Sequence, residues 1–163
     1  MKVKYVIDED FVNYKLPSMF IGCHSCTFKC DKECRKQVCQ NGALANSPDI
    51  EIPIRNIINR YLNNDISKSV IFGGLEPFDD IDNVLLFIIQ LRNINNIKDD
   101  IVIYTGYTEE EVNQKYKDYL EQFKKLSNII IKFGRFIPDQ QSHYDYVLGV
   151  NLASDNQYAK KIS

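Results

Sequence analysis

No apolar run in this 163-residue chain is long enough to cross a bilayer, and Met1 to Met19 mix Lys2, Lys4, Asp8, Glu9 and Asp10 among their apolar residues. A spanning helix needs about 20 consecutive apolar residues and a secretory signal an unbroken apolar stretch, so a soluble, cytoplasmic protein with no membrane partner is expected. An excess of positive charge is missing as well: 20 Lys plus Arg stand against 22 Asp plus Glu, a formal net charge of -2. Without a positive field to hold a phosphate backbone, nucleic acid is a poor partner. Internal repeats and low-complexity blocks are also lacking. A composition of 44% hydrophobic and 26% charged residues describes a single domain over residues 1–163 that buries a core of its own.

Cysteine, by contrast, is concentrated. All five fall between positions 23 and 39, spaced Cys23-x2-Cys26-x3-Cys30-x3-Cys34-x4-Cys39, with His24 inside the first pair. An odd count without a secretory signal argues against a disulfide framework and for thiolates gathered around a metal or a redox reaction. Soft thiolates at this density select zinc, copper(I) or an iron–sulfur cluster. A structural zinc site normally brings two close pairs, and only Cys23 and Cys26 have that spacing. Inert buried thiols fit poorly with a segment that also carries Lys29, Asp31, Lys32, Glu33, Arg35 and Lys36.

The rest of the chain alternates β-branched runs with amphipathic ones. Met1–Ile7 reads as a strand, and Ser18–Ile21 is a short apolar run entering the cysteines. Pro53 opens a helix with Ile54, Ile57, Ile58, Tyr61 and Leu62 at helical spacing. Ser69–Phe72 is stopped by Gly73-Gly74, and Asp79 or Asp80 caps a helix burying Val84, Leu85 and Ile88. Ile101–Tyr104 is a strand, Thr108 to Glu111 a capping box, and Val112, Tyr116, Leu120 and Phe123 the inward face of the helix it opens. Asn128–Phe133 is the next strand, and Tyr146–Val150 a last short run. Such alternation implies an α/β sheet of mostly parallel strands, with ligands at their carboxyl ends, where the Gly73-Gly74 and Thr105-Gly106 turns fall.

Cys26-Thr-Phe-Lys-Cys30 resembles the opening of the C-x3-C-x2-C motif of the radical SAM superfamily. Phe72-Gly-Gly-Leu-Glu-Pro77 looks like that superfamily's Gly-Gly-Glu-Pro motif with Leu75 inserted. Val102 to Glu110, reading Val-Ile-Tyr-Thr-Gly-Tyr-Thr-Glu-Glu, resembles the activating proteins of anaerobic ribonucleotide reductase. So do Phe133-Gly-Arg-Phe-Ile137, with Phe133 in place of an Asp, and Ser154-Asp-Asn-Gln157, with Tyr158 where an Arg follows. The resemblance runs in order from about Ser18 to the C-terminus.

It implies a partial (β/α) barrel of radical SAM type with a cluster loop at 23–48. The cofactors implied are a 4Fe-4S cluster and S-adenosyl-L-methionine (SAM). The implied enzyme is an activase: the reduced cluster cleaves SAM, and the 5′-deoxyadenosyl radical takes a glycine Cα hydrogen from a large glycyl radical enzyme, an anaerobic ribonucleotide reductase. A flavodoxin or ferredoxin would donate the electron. The metal ligands expected are Cys26, Cys30 and Cys39. The strict motif would put a third cysteine where Glu33 stands, and either Cys34 or Cys39 can replace it; Cys39 is preferred because Cys39-Gln40-Asn41 resembles the close of the family's loop. Gly73, Gly74, Glu76, Tyr104, Thr105 and Asn156 are the cofactor-binding positions implied. His24 is a further ligand or proton-donor candidate. Two other readings compete: a radical SAM enzyme with another protein or small-molecule substrate, and a non-catalytic binding protein stapled by zinc or an iron–sulfur cluster.

Overall fold

The structure is a computed structural model describing residues 1–39 and 41–163. Strand β1 (Lys2–Asp10) turns back into β2 (Ser18–Cys23), and two short helices, α1 (Lys29–Cys34) and α2 (Gly42–Asn46), lie in the cysteine loop. Strand β3 (Ile50–Glu51) and helix α3 (Ile54–Leu62) lead to β4 (Ser69–Gly73), a 3₁₀ turn at Pro77–Asp80 and α4 (Ile81–Ile89). Next come β5 (Asp100–Tyr104), α5 (Glu109–Lys115), α6 (Lys117–Lys125) and β6 (Ile129–Phe133). The C-terminal part adds β7 (His143–Asp145), β8 (Val150–Leu152) and β9 (Tyr158–Lys161).

The main sheet runs β3-β1-β2-β4-β5-β6-β9, and β7 pairs with β8 in a separate hairpin. Its centre, β2-β4-β5-β6, is parallel; β1, β3 and β9 pair antiparallel on its flanks. The α/β expectation and its parallel centre hold. β3 and β9 form the two edges and do not pair with each other, so the sheet is open and no closed barrel forms among the described residues.

The central strands read as unbroken apolar runs because both of their faces are covered. One face, with Ile21, Phe72, Ile103 and Ile131, packs on Ile57, Ile58, Val84, Ile88, Leu120 and Phe123 of the helices. The other, with Phe20, Ile71, Val102 and Ile130, packs on Tyr14 and on Leu148 and Leu152 of the hairpin. Buried Asp145 ties that hairpin down by accepting from Val147 N, Leu148 N and Ala159 N.

Two expected elements differ. The helix opened by the Thr108–Glu111 capping box stops at Lys115, and Tyr116 swings out of helical geometry to pack on Phe78 and Tyr107, 4.9 and 5.6 Å between ring centroids. Tyr146–Gly149 is no strand but the turn of the β7–β8 hairpin. Its register pairs Asp145 with Val150, and Gly149 takes φ +75°, which suits a residue without Cβ.

Parallel pairing sets Gly22 beside Gly73, Phe72 beside Ile103 and Tyr104 beside Lys132. The carboxyl ends of all four central strands therefore share one edge, and the loops leaving it are the ones that carry the motifs.

Candidate metal centre

A cavity of about 310 Å³ opens at that edge. Cys26, Cys30 and Cys39 form its outer wall, Gly74, Leu75 and Glu76 follow from the turn after β4, and Tyr104, Thr105 and Gly106 from the end of β5. Lys132, Gly134 and Arg135, with Gln157, close the far side. Three of the five thiols thus meet on one cavity.

The other two lie elsewhere. Cys23 ends β2 with its side chain in the helix-side core, where burial pushes the thiol well above its ordinary pKa. Cys34 ends α1 and is not part of the wall. His24 stands 3.9 Å from both Asp49 and Asp80. Asn156 sits behind the Gly134–Arg135 turn, donating Nδ2 to Arg135 O at 2.9 Å, and its neighbour Gln157 reaches the wall instead. Gln40, inside the Cys39–Asn41 tripeptide, lies outside the described residues.

The cysteine loop is held by polar bonds. Glu76 N donates to Ser25 O at 2.8 Å, fixing the chain next to Cys26. Asp31 Oδ1 accepts from Val38 N and Cys39 N, each at 2.8 Å, so one carboxylate draws Cys39 back toward α1 and Cys30. Asn41 Nδ2 donates to Gly74 O at 2.6 Å. Gly74 has φ +77°, and a Cβ there would stand 3.0 Å from Tyr5 Oη and 3.2 Å from Leu44 Cδ2, so only glycine fits without displacing them. An ion network secures α1: Glu111 accepts from Lys29 Nζ and, at 3.0 and 2.8 Å, from Arg135 Nη2. Arg135 Nε lies 3.3 Å from Glu33 Oε2, an ion pair without a hydrogen-bonding angle.

Burial governs the electrostatics. Burial, partly offset by the Phe28 N–H bond, pushes the Cys26 thiol up to about 11; burial and the nearby Cys39 push Cys30 up to about 12. Glu76, 6% exposed, is pushed up to about 7 by burial although Thr105 Oγ1, Gly106 N and Phe78 N donate to its carboxylate at 2.7, 2.8 and 3.1 Å. These three bonds leave part of its acceptor capacity unused. Lys132 is brought down to about 8 by burial, with Glu76 pulling the other way.

The donor set suits an iron–sulfur cluster. Cys26 Sγ accepts from Phe28 N at 3.3 Å and Cys39 Sγ from Asn41 N at 3.4 Å, and backbone bonds to ligand sulfurs are among the levers that tune such clusters. Among the described residues no three His, Cys, Asp or Glu side chains converge on a single-ion position. A four-iron cluster gives each thiolate its own iron, so its ligands stand further apart than those of one ion. Thiols kept protonated by burial release their protons as metal binds.

Sequence reasoning passed over Asp31, Glu111 as a hub, Arg135 and Lys132. Arg135 stood within the Phe133–Ile137 motif and Glu111 within the capping box without their ion pair being foreseen, and Lys132 left a signal as a charge inside the apolar run Ile129–Phe133. No helix among the described residues is long and apolar enough to cross a membrane.

No curated protein and no solved structure matches this chain. A family model does match, that of the 4Fe-4S single cluster domain, over residues 18–157. That span begins with β2, contains the whole cysteine loop and ends at Gln157 in the cavity wall. The chain belongs to this family of iron–sulfur proteins.

Proposed function

We propose that this protein is a radical SAM activase whose cluster is held by Cys26, Cys30 and Cys39 and whose target is a glycyl radical enzyme, by resemblance an anaerobic ribonucleotide reductase. The observation that carries this reading is the meeting of those three thiols with the Gly74–Glu76 turn on one cavity at the strand carboxyl ends. Three protein thiolates leave one of four irons to an outside ligand, and SAM has the amino and carboxylate groups to fill it. When bound, the reduced cluster supplies the electron that cleaves SAM and so yields the 5′-deoxyadenosyl radical that removes a glycine Cα hydrogen.

The chain's own part is placement and shelter. Gly74 lets backbone line the cavity where a side chain would collide with Tyr5 and Leu44. Thr105 and Gly106 donate to Glu76, which ties the turn after β5 to the turn after β4. Tyr104, anchored by its hydroxyl to Asn13 O at 2.5 Å, offers a flat face beside them. The open sheet suits a partial barrel of radical SAM type, with a flavodoxin or ferredoxin as electron donor.

The test is anaerobic iron–sulfide reconstitution followed by electron paramagnetic resonance of the reduced protein with and without SAM. A four-iron signal that changes when SAM is added is the expected result. A cluster blind to SAM, or a protein that retains only zinc, overturns the reading. Faster SAM cleavage on adding the glycyl radical enzyme then tests the partner.

A further inference from the structure

A second, smaller cavity of about 40 Å³ is lined by the thiols of Cys26 and Cys30 together with Lys29 and Tyr107. Tyr107, 7% exposed, is the first of three phenols that lead from there to the surface. Its ring lies 5.6 Å from that of Tyr116, and Tyr116 lies 6.3 Å from Tyr119 on α6, which is only partly buried. The break between α5 and α6 seats Tyr116 between the other two. Packing needs rings without hydroxyls, as Phe78 shows in the same cluster, 4.9 Å from Tyr116. The end members of the row are nevertheless each bonded to a carboxylate: Tyr107 donates to Asp79 Oδ1 at 3.3 Å and Tyr119 to Asp82 Oδ1 at 2.6 Å. A phenol gives up an electron far more readily when a base stands ready to take its proton.

Charge is graded along this row of rings. The ammonium groups of Lys29 and Lys115 lie 5.5 and 5.3 Å from the centre of the Tyr107 ring, whereas Tyr119 has Asp82 at its hydroxyl. Positive charge opposes the loss of an electron and negative charge favours it, so an oxidised phenol is more stable at Tyr119 than at Tyr107. We infer that Tyr107, Tyr116 and Tyr119 form a discharge path that carries oxidising equivalents away from the cluster ligands Cys26 and Cys30 to the surface. The oxidant is the hydroxyl radical that peroxide yields with ferrous iron. It takes one electron from a ligand sulfur and leaves as hydroxide; Tyr107 restores that electron and passes its phenolic proton to Asp79. Tyr119 then reduces Tyr107 by way of Tyr116, Asp79 returns its proton, and the Tyr119 proton moves to Asp82. A soluble thiol gives a hydrogen atom to the Tyr119 radical, the thiyl radicals of two such rounds join as a disulfide, and the Asp82 proton and the hydroxide make water. The ligand thiolates thereby escape oxidation to sulfinic and sulfonic acids. The inference rests on Cys26 and Cys30 holding the cluster, and on no part of the activase reading beyond that.

The test adds hydrogen peroxide to the reconstituted full chain under argon, with rapid freezing for electron paramagnetic resonance and mass spectrometry of the cysteines. Wild type should give a tyrosyl radical that added glutathione removes. Tyr107→Phe should lose that radical and raise the sulfinic and sulfonic acid found on Cys26 and Cys30 several-fold per peroxide consumed. Tyr116→Phe, which keeps the stack of rings, should raise it as well, and it takes the place of Tyr107→Phe should that variant fail to load iron. In Tyr119→Phe the radical should persist in the presence of glutathione. Iron content and circular dichroism establish that each variant is loaded and folded. A wild type without a tyrosyl radical overturns the path, and so does cysteine oxidation that Tyr107→Phe and Tyr116→Phe leave unchanged. A cluster blind to SAM in a protein that still forms the radical removes the activase reading and leaves the path standing. A protein that loads no cluster, or loads one without Cys26 and Cys30, overturns both.

Discussion

Between Cys30 and Cys39 lie eight residues, and the carboxylate of Asp31 gathers them by binding the backbone at both Val38 and Cys39. That clasp brings Cys39 to the cavity and leaves Cys34 out of it. Cys39→Ala should therefore abolish cluster assembly and Cys34→Ala leave it intact, as measured by iron and sulfide content after reconstitution; the reverse pattern would mean that Cys34 is the ligand. The thiols were legible in the sequence because residue type and density alone point to soft metals. Asp31, Arg135 and Glu111 were not, since an isolated charge in a loop or a helix cap looks the same whether it faces water or a partner. Two of the departures from the radical SAM activase pattern, Phe133 and Tyr158, prove to be cross-strand neighbours whose rings lie 5.6 Å apart. Where that pattern has two opposite charges, this chain has an aromatic pair, a coupling that only the pairing of β6 with β9 reveals.

At the scale of elements, α1 differs from every longer helix in burying no side chain. Amphipathic helices dock through an apolar stripe; α1 docks through Lys29 and Glu33, by way of Glu111 and Arg135. The carboxyl of Glu111 is held down to about 2 by Lys29, Thr108 N and Arg135 against the opposing effect of burial. Because the network is partly solvated, Glu111→Gln should cost only about 1 kcal/mol or less of global stability. It should nevertheless speed the loss of iron to a chelator several-fold, because the helix carrying Cys30 loses its anchor. An unchanged chelation rate would show that the backbone bonds alone hold α1. Periodicity revealed the long elements, β4 to β6 and α3, α4 and α6, whose apolar faces repeat. It missed β9, in which only Ala159 of Tyr158–Lys161 is buried and the open edge of β6 dictates the pairing. Nor does period alone explain the break at Tyr116, where tertiary packing on Phe78 outweighs continuing the helix.

For the whole molecule, the cysteine loop adds little to the core, on which it packs through partly buried residues such as Cys26, Leu44 and Ala45. The sheet and helices α3, α4, α5 and α6 bury their apolar faces in the core, whereas α1 and α2 contribute no buried residue. Small metal domains unfold without their ion because the metal is their core. This chain should keep its far-ultraviolet circular dichroism when stripped of iron, with hydrogen exchange accelerating chiefly between residues 24 and 46 and the centres of β4 and β5 staying protected. Exchange that rises throughout the sheet would show that folding depends on the cluster. The separation also bears on life with oxygen. A core that keeps its fold without iron, as predicted, leaves a chain stripped by oxidation still able to receive a new cluster. Repair then takes iron, sulfide and reducing power, with no new round of synthesis.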